Sequence, residues 1–219
     1  MAEVLLFHHA QGLTAGCLSF ADELRAAGHR VHSPDLYESR TFTELADGMS
    51  YVKQVGFDVI IDRGRLVAEA LPNEIVYAGF SLGVLPAQML AQTRPGAKGA
   101  LFFHSAIPTS EFGSAWPPGV PLQIHTMEDD ANGDVDVARE LASTIDGADL
   151  YLYPGDRHLF TDRSLADYDP GAATLLMQRV LTFLDTIESP KRAHVHPAIV
   201  ATEETDGLRF ALAPRSPKG

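Results

Sequence analysis

The chain has 219 residues, 45% apolar and 21% charged, with a formal charge of −12 and a single cysteine, Cys17. Its length suits one large domain, its composition excludes a disordered or repeat-built chain, and the lone thiol excludes a disulfide framework or a thiolate zinc cluster. The acidic balance argues against nucleic-acid and anionic-lipid partners, and no run approaches the ~18 apolar residues of a membrane span, so a cytoplasmic monomer or small homo-oligomer is expected.

The short apolar run Val4–Phe7 ends at His8-His9-Ala10-Gln11-Gly12, the pattern of a strand buried on both faces. Residues 20–27 read as a helix stopped at Gly28, and 30–33 as a second strand closed by Pro34. Positions 35–50 read as irregular with one helical turn. From Phe57 the apolar positions 57, 60, 61, 67, 68 and 71 recur at helical spacing up to Pro72. A strand from Glu74 runs into Gly79-Phe80-Ser81-Leu82-Gly83, and residues 84–92 favour a helix. Strands at 100–103, 122–125 and 150–153 and helices at 135–145 and 172–187 complete the body. Alternating strands and helices predict an α/β fold with a mostly parallel central sheet and helices on both faces.

The reading divides the chain into a domain over 1–188 and a C-terminal extension over 189–219. The extension holds four prolines and carries +2, leaving −14 on the body. It reads equally as a frayed tail or as a hairpin, 199–201 against 208–212 around Asp206-Gly207.

Gly79-Phe80-Ser81-Leu82-Gly83 is a G-x-S-x-G elbow in its required context, strand before and helix after. A serine hydroxyl is un-ionised at neutral pH, so Ser81 needs a base to take its proton, and the base needs an acid to orient it. In this architecture the order is Ser, acid, His. His104 and His125 close predicted strands too early for an acid to precede them, and His194 and His196 belong to the exposed tail. His158, in the loop after the last strand, is the expected base. The loop after 122–125 offers Glu128, Asp129, Asp130 and Asp134, and the residues alone do not choose among them. Leu82 N–H, directly after the nucleophile, is an expected oxyanion donor. Phe80, His104, Trp116 and Phe160 are candidates for an apolar acyl pocket or for plain core. Cys17 reads as packing.

Pro34-Asp35-Leu36-Tyr37, Ala78 to Gly83, His125 to Asp130, Pro154 to Phe160 and Tyr168-Asp169-Pro170 together resemble, in order, the dienelactone hydrolase family of the α/β-hydrolases. The resemblance implies an α/β-hydrolase fold without a separate cap domain, no cofactor, Asp130 as the acid with Asp129 as runner-up, and a second oxyanion donor near Ala10. It also exposes departures. The family's nucleophile is Cys where this chain has Ser81, its Glu after the first strand is matched by His9, and its carboxylate-binding Arg four residues past the His is matched by Asp162, with Arg163 one step on. The first two changes are mutually consistent, since a hydroxyl has no need of a gating carboxylate. The third removes the cation that would hold an anionic lactone. His9 either lines the mouth of the site or hydrogen-bonds within its loop.

The function expected is a serine hydrolase of small-molecule esters or lactones, working through an acyl-enzyme on Ser81, Asp130 and His158. The alternatives are a thioesterase or acyltransferase on the same fold and a non-catalytic ligand-binding relative.

Overall fold

A computed structural model describes residues 1–188; the hairpin reading and His194 and His196 lie outside the described residues. Strands β1 (Glu3–Phe7), β2 (Arg30–His32), β3 (Val76–Phe80), β4 (Gly99–Phe103), β5 (Leu122–Met127) and β6 (Ala148–Tyr153) form one parallel sheet in the order β2-β1-β3-β4-β5-β6. The helices are α1 (Ala15–Ala26), α2 (Leu45–Val55), α3 (Phe57–Glu69), α4 (Val84–Thr93), α5 (Val135–Thr144) and α6 (Pro170–Glu188).

Alternation along the strands builds two cores. Leu5, Phe7, Tyr77, Phe102 and Ile124 face α2 to α5, with Val52, Ile60, Ala87 and Leu141 packed on them. Val4, Leu6, Val76, Ala78, Leu101 and Phe103 face α1 and α6, meeting Phe20, Leu24, Leu176 and Leu184. Both faces are covered, which is why the strands read as continuous apolar runs.

The structure corrects the sequence reading in two places. Helix α1 begins five residues earlier than expected, because Thr14 accepts the Cys17 N–H and caps it. The stretch 35–50 carries more than a turn: α2 spans Leu45–Val55 and is parted from α3 by Gly56 at φ 102°. Its apolar positions 45, 49 and 52 do repeat helically, but Gly48 interrupts the pattern. Gly48 is needed there, since a Cβ would lie 2.1 Å from the Ala10 carbonyl oxygen. Helix α2 thus presses on the loop after β1.

The chain turns to opposite sides of the sheet at β1 and β3, and the crevice at the carboxyl ends of such strands is where open α/β sheets place their ligands.

Candidate active site

Ser81 leaves the end of β3 with φ 47°, a left-handed conformation that strains any residue carrying a Cβ. The glycines on either side are fixed by contact. A Cβ on Gly79 would lie 2.1 Å from the Gly83 carbonyl oxygen, and one on Gly83 would lie 2.5 Å from that of Phe7. The tight turn leaves the Ser81 side chain half-buried at the sheet edge, where its hydroxyl donates to His158 Nε2 at 2.7 Å.

His158 stands in the loop after β6, and its Nδ1 donates to Asp130 Oδ2 at 2.8 Å. That bond fixes the tautomer, so the lone pair of Nε2 faces the serine. Asp130 lies in the loop after β5 with its side chain 1% exposed. Its other oxygen accepts the Asn132 N–H at 2.9 Å. Burial separates the two candidate acids, since Asp129 is exposed and takes no part in this chain of contacts. The turn after Ser81 packs Gly83 against the Phe7 and His8 carbonyls at the end of β1, so the segments that carry the two expected oxyanion donors, Leu82 and Ala10, adjoin.

The proposed acyl-pocket residues do not form an open wall. Phe80, His104 and Phe160 are 2%, 0% and 0% exposed and pack on one another, with centroids 4.6 Å apart for His104 and Phe160 and 6.1 Å for Phe80 and His104. They belong to the core beneath the site. Trp116 sits on the other face of the sheet, edge-on to Phe102, with its indole N–H given to the Val120 carbonyl. His104 is held neutral: burial pushes its pKa well below the ordinary value, and the nearby His158 adds to this. Its Nε2 shares a 2.7 Å hydrogen bond with Thr161 Oγ1. A groove of about 740 Å³ opens elsewhere, against β5, β6 and α6, and Ser81, Asp130 and His158 do not line it.

The two charged departures turn out to be one feature. His9 Nε2 donates to Asp162 Oδ2 at 2.8 Å, with the side chains 1% and 3% exposed. Thr14 Oγ1 donates to the same oxygen, while Ser164 gives its N–H and Oγ–H to Oδ1 at 2.8 and 2.6 Å. Burial opposes charge on both partners. Even so, the hydrogen bonds from His9, Ser164 and Thr14 bring Asp162 down to about 2. The Cys17 sulfur and Asp162 raise His9 to about 9. The Gln11 N–H, donated to His9 Nδ1 at 3.2 Å, opposes protonation there.

His9, Cys17 and Asp162 bring their ligand atoms within 4.8 Å of one another, a spacing that could hold a metal ion. The hydrogen-bond pattern disfavours it. A histidine bound through Nε2 gives its Nδ1 proton to an acceptor, whereas here Nδ1 meets a donor, and both Asp162 oxygens are already occupied.

The sequence matches the model of the dienelactone hydrolase family over residues 1–188. Among solved structures, the chain is similar to a dienelactone hydrolase-like promiscuous phosphotriesterase from metagenomic libraries at 17% identity and TM-score 0.69, covering 85% of this chain and 87% of that one. It is also similar to a dienelactone hydrolase from Anabaena variabilis, at 17% identity and TM-score 0.62, covering 85% and 86%. A thioesterase domain from the curacin biosynthetic pathway aligns at 14% identity and TM-score 0.54, covering 80% and 90%. At these identities the structural likeness is one of fold, the α/β-hydrolase fold. No curated protein matches the sequence. No helix among the described residues is long and apolar enough to cross a membrane.

Proposed function

Because the chain belongs to the dienelactone hydrolase family of carboxylic ester hydrolases, we propose that it is a serine hydrolase cleaving small-molecule esters or lactones through an acyl-enzyme. The observation that carries this reading is the unbroken relay Ser81 Oγ to His158 Nε2 at 2.7 Å and His158 Nδ1 to Asp130 at 2.8 Å, drawn from the loops after three different strands.

In the proposed reaction Ser81 Oγ forms a bond to the acyl carbon while its proton passes to His158 Nε2, and the carbonyl electrons move onto oxygen. The backbone N–H groups of Leu82 and Ala10 receive that oxyanion; losing one such donor typically costs about 2.7 to 4 kcal/mol. Collapse breaks the bond to the alkoxy oxygen, which leaves with the proton from His158. Water then bonds to the acyl carbon while its proton passes to His158, and collapse breaks the acyl–Oγ bond, Ser81 taking that proton back as the acid leaves. Asp130 stays ionised throughout, holding the imidazole in place and balancing its positive charge.

Asp162 takes the sequence position of the family's carboxylate-binding Arg and is itself buried against His9, so that cation is missing and uncharged acyl groups are the expected class. The test is a fluorophosphonate probe alongside a panel of nitrophenyl esters, lactones and acyl thioesters. Labelling of the wild type but not of Ser81→Ala, with turnover on esters or lactones, supports the proposal. Absence of labelling together with an inert panel overturns it.

A further inference from the structure

Resting on that reading, we propose that His9 and Asp162 form a positioning pair that clamps the oxyanion loop after β1 to the base-bearing loop after β6. The need for a clamp follows from topology. β6 lies four strands from β1, roughly 19 Å of sheet at ~4.8 Å per strand. The loop leaving β6 crosses that distance without helix or strand. Along its course His158 meets Ser81 above β3, Thr161 meets His104 above β4, and Asp162 reaches His9 above β1. The donor and the acceptor of the last contact are 153 residues apart in sequence. His9 adjoins Ala10, and Asp162 lies four residues from His158, so the contact joins the two parts of the site that must agree in position.

The carboxylate is built in on every side. It accepts from His9, Thr14 and Ser164, and Gly16 N–H donates to Ser164 Oγ at 3.2 Å. A Cβ on Gly16 would fall 1.7 Å from Asp162 Oδ1, so the start of α1 is shaped around this group. The negative charge also lies at the positive end of that helix. On the histidine, Nε2 is committed to Asp162 and Nδ1 to the Gln11 N–H. Neither nitrogen is free to exchange a proton with substrate, which makes His9 a positioning residue.

Displacement of catalytic groups by about 1 Å lowers rates roughly 100-fold, and such loss falls on turnover more than on substrate binding. The experiment measures kcat and KM for a nitrophenyl ester, with fluorophosphonate labelling of Ser81, in His9→Ala, His9→Gln, Asp162→Ala and the double variant His9→Ala/Asp162→Ala. Gln keeps an N–H at the reach of Nε2. The expected result is a 10- to 100-fold fall in kcat for both alanine variants with KM within about 3-fold, recovery to within about 5-fold of wild type in His9→Gln, and a double variant no worse than Asp162→Ala alone. Arg163→Ala, which removes an exposed ion pair from the same loop to Glu23 of α1, leaves kcat unchanged. Unaltered turnover in His9→Ala, or effects of the two alanine changes that simply multiply, overturns the proposal. If an alanine variant fails to fold, His9→Gln and His9→Leu decide together: near-normal kcat in the first beside a 10-fold or deeper fall in the second supports the clamp, and near-normal kcat in a folded His9→Leu, or a loss as deep as 10-fold in a folded His9→Gln, overturns it. Should the wild type itself resist labelling, the serine-hydrolase reading fails, a result separate from a labelled wild type indifferent to position 9.

Discussion

Two buried histidine–aspartate pairs stand on the same sheet edge with equal 2.8 Å contacts, His158–Asp130 and His9–Asp162, yet their chemistry differs. His158 turns Nδ1 to its acid and leaves Nε2 facing a half-buried hydroxyl. His9 turns Nε2 to its acid and has Nδ1 stopped by a backbone N–H. An acid beside an imidazole therefore does not make a general base. The second nitrogen decides, and whether it looks at a nucleophile or at the protein's own backbone.

The contrast breaks most sharply at the first pair. Ser81→Ala and His158→Ala should each lower kcat by 10⁴-fold or more while leaving the folded state intact, as removal of triad members does elsewhere. Asp130→Asn should fall by about 10⁴-fold, because the amide would favour the wrong tautomer. Steady-state hydrolysis with circular dichroism as the folding control checks all three. If Asp130→Asn lost less than Asp162→Ala, the roles assigned to the two pairs would have to be exchanged.

A milder perturbation reaches the same loop from above. Gly48→Ala would drive a methyl group into the Ala10 carbonyl, where the fit leaves 2.1 Å, so α2 or the oxyanion loop must shift. We expect kcat to drop about 10-fold, with a stability loss of roughly 1 to 3 kcal/mol from overpacking. Unchanged kinetics in a destabilised protein would mean that α2 yields instead of the loop.

The sequence made the sheet readable because strands covered on both faces are continuous apolar runs, and the elbow was readable because its glycines are dictated by backbone contact. Helix α2 was missed since Gly48, placed for a close approach, looks locally like a break. The acid was open on residues alone, because four carboxylates follow β5 and only burial sorts Asp130 from Asp129. His9 and Asp162 each stood out as departures of opposite charge, and that opposition was the available clue. Their meeting depends on the path of an irregular loop across four strands, which no local pattern encodes. Phe80, His104 and Phe160 were indistinguishable from pocket residues by type alone, since core and pocket walls draw on the same aromatic side chains.

The two pairs should also be separable by how one of them links stability to pH. Asp162 has its pKa lowered from 3.8 to about 2, so its contribution is fully present above pH 4 and disappears as pH falls through 2. His9 is raised from 6.5 to about 9 against its burial, in the first place by the Cys17 sulfur, which Asp162→Asn leaves in place. Only the share that Asp162 supplies enters the difference; that share is complete below pH 6.5 and disappears as pH rises through 9. The wild type should therefore exceed Asp162→Asn most between about pH 4 and 6.5, by roughly 2 kcal/mol or more from the carboxylate alone, with the gap narrowing on both sides. His8 adds a background common to both proteins: burial lowers it to about 4, so stability is complete above 6.5 and declines from there toward pH 4. Taking the difference between the two urea-unfolding curves at each pH cancels that background. A gap that stays constant from pH 6.5 to 9.5 would mean that Asp162 stabilises no His9 cation, in keeping with an imidazole that accepts the Gln11 N–H. A gap that fails to shrink below pH 4 would contradict the ionised Asp162 on which the clamp is built.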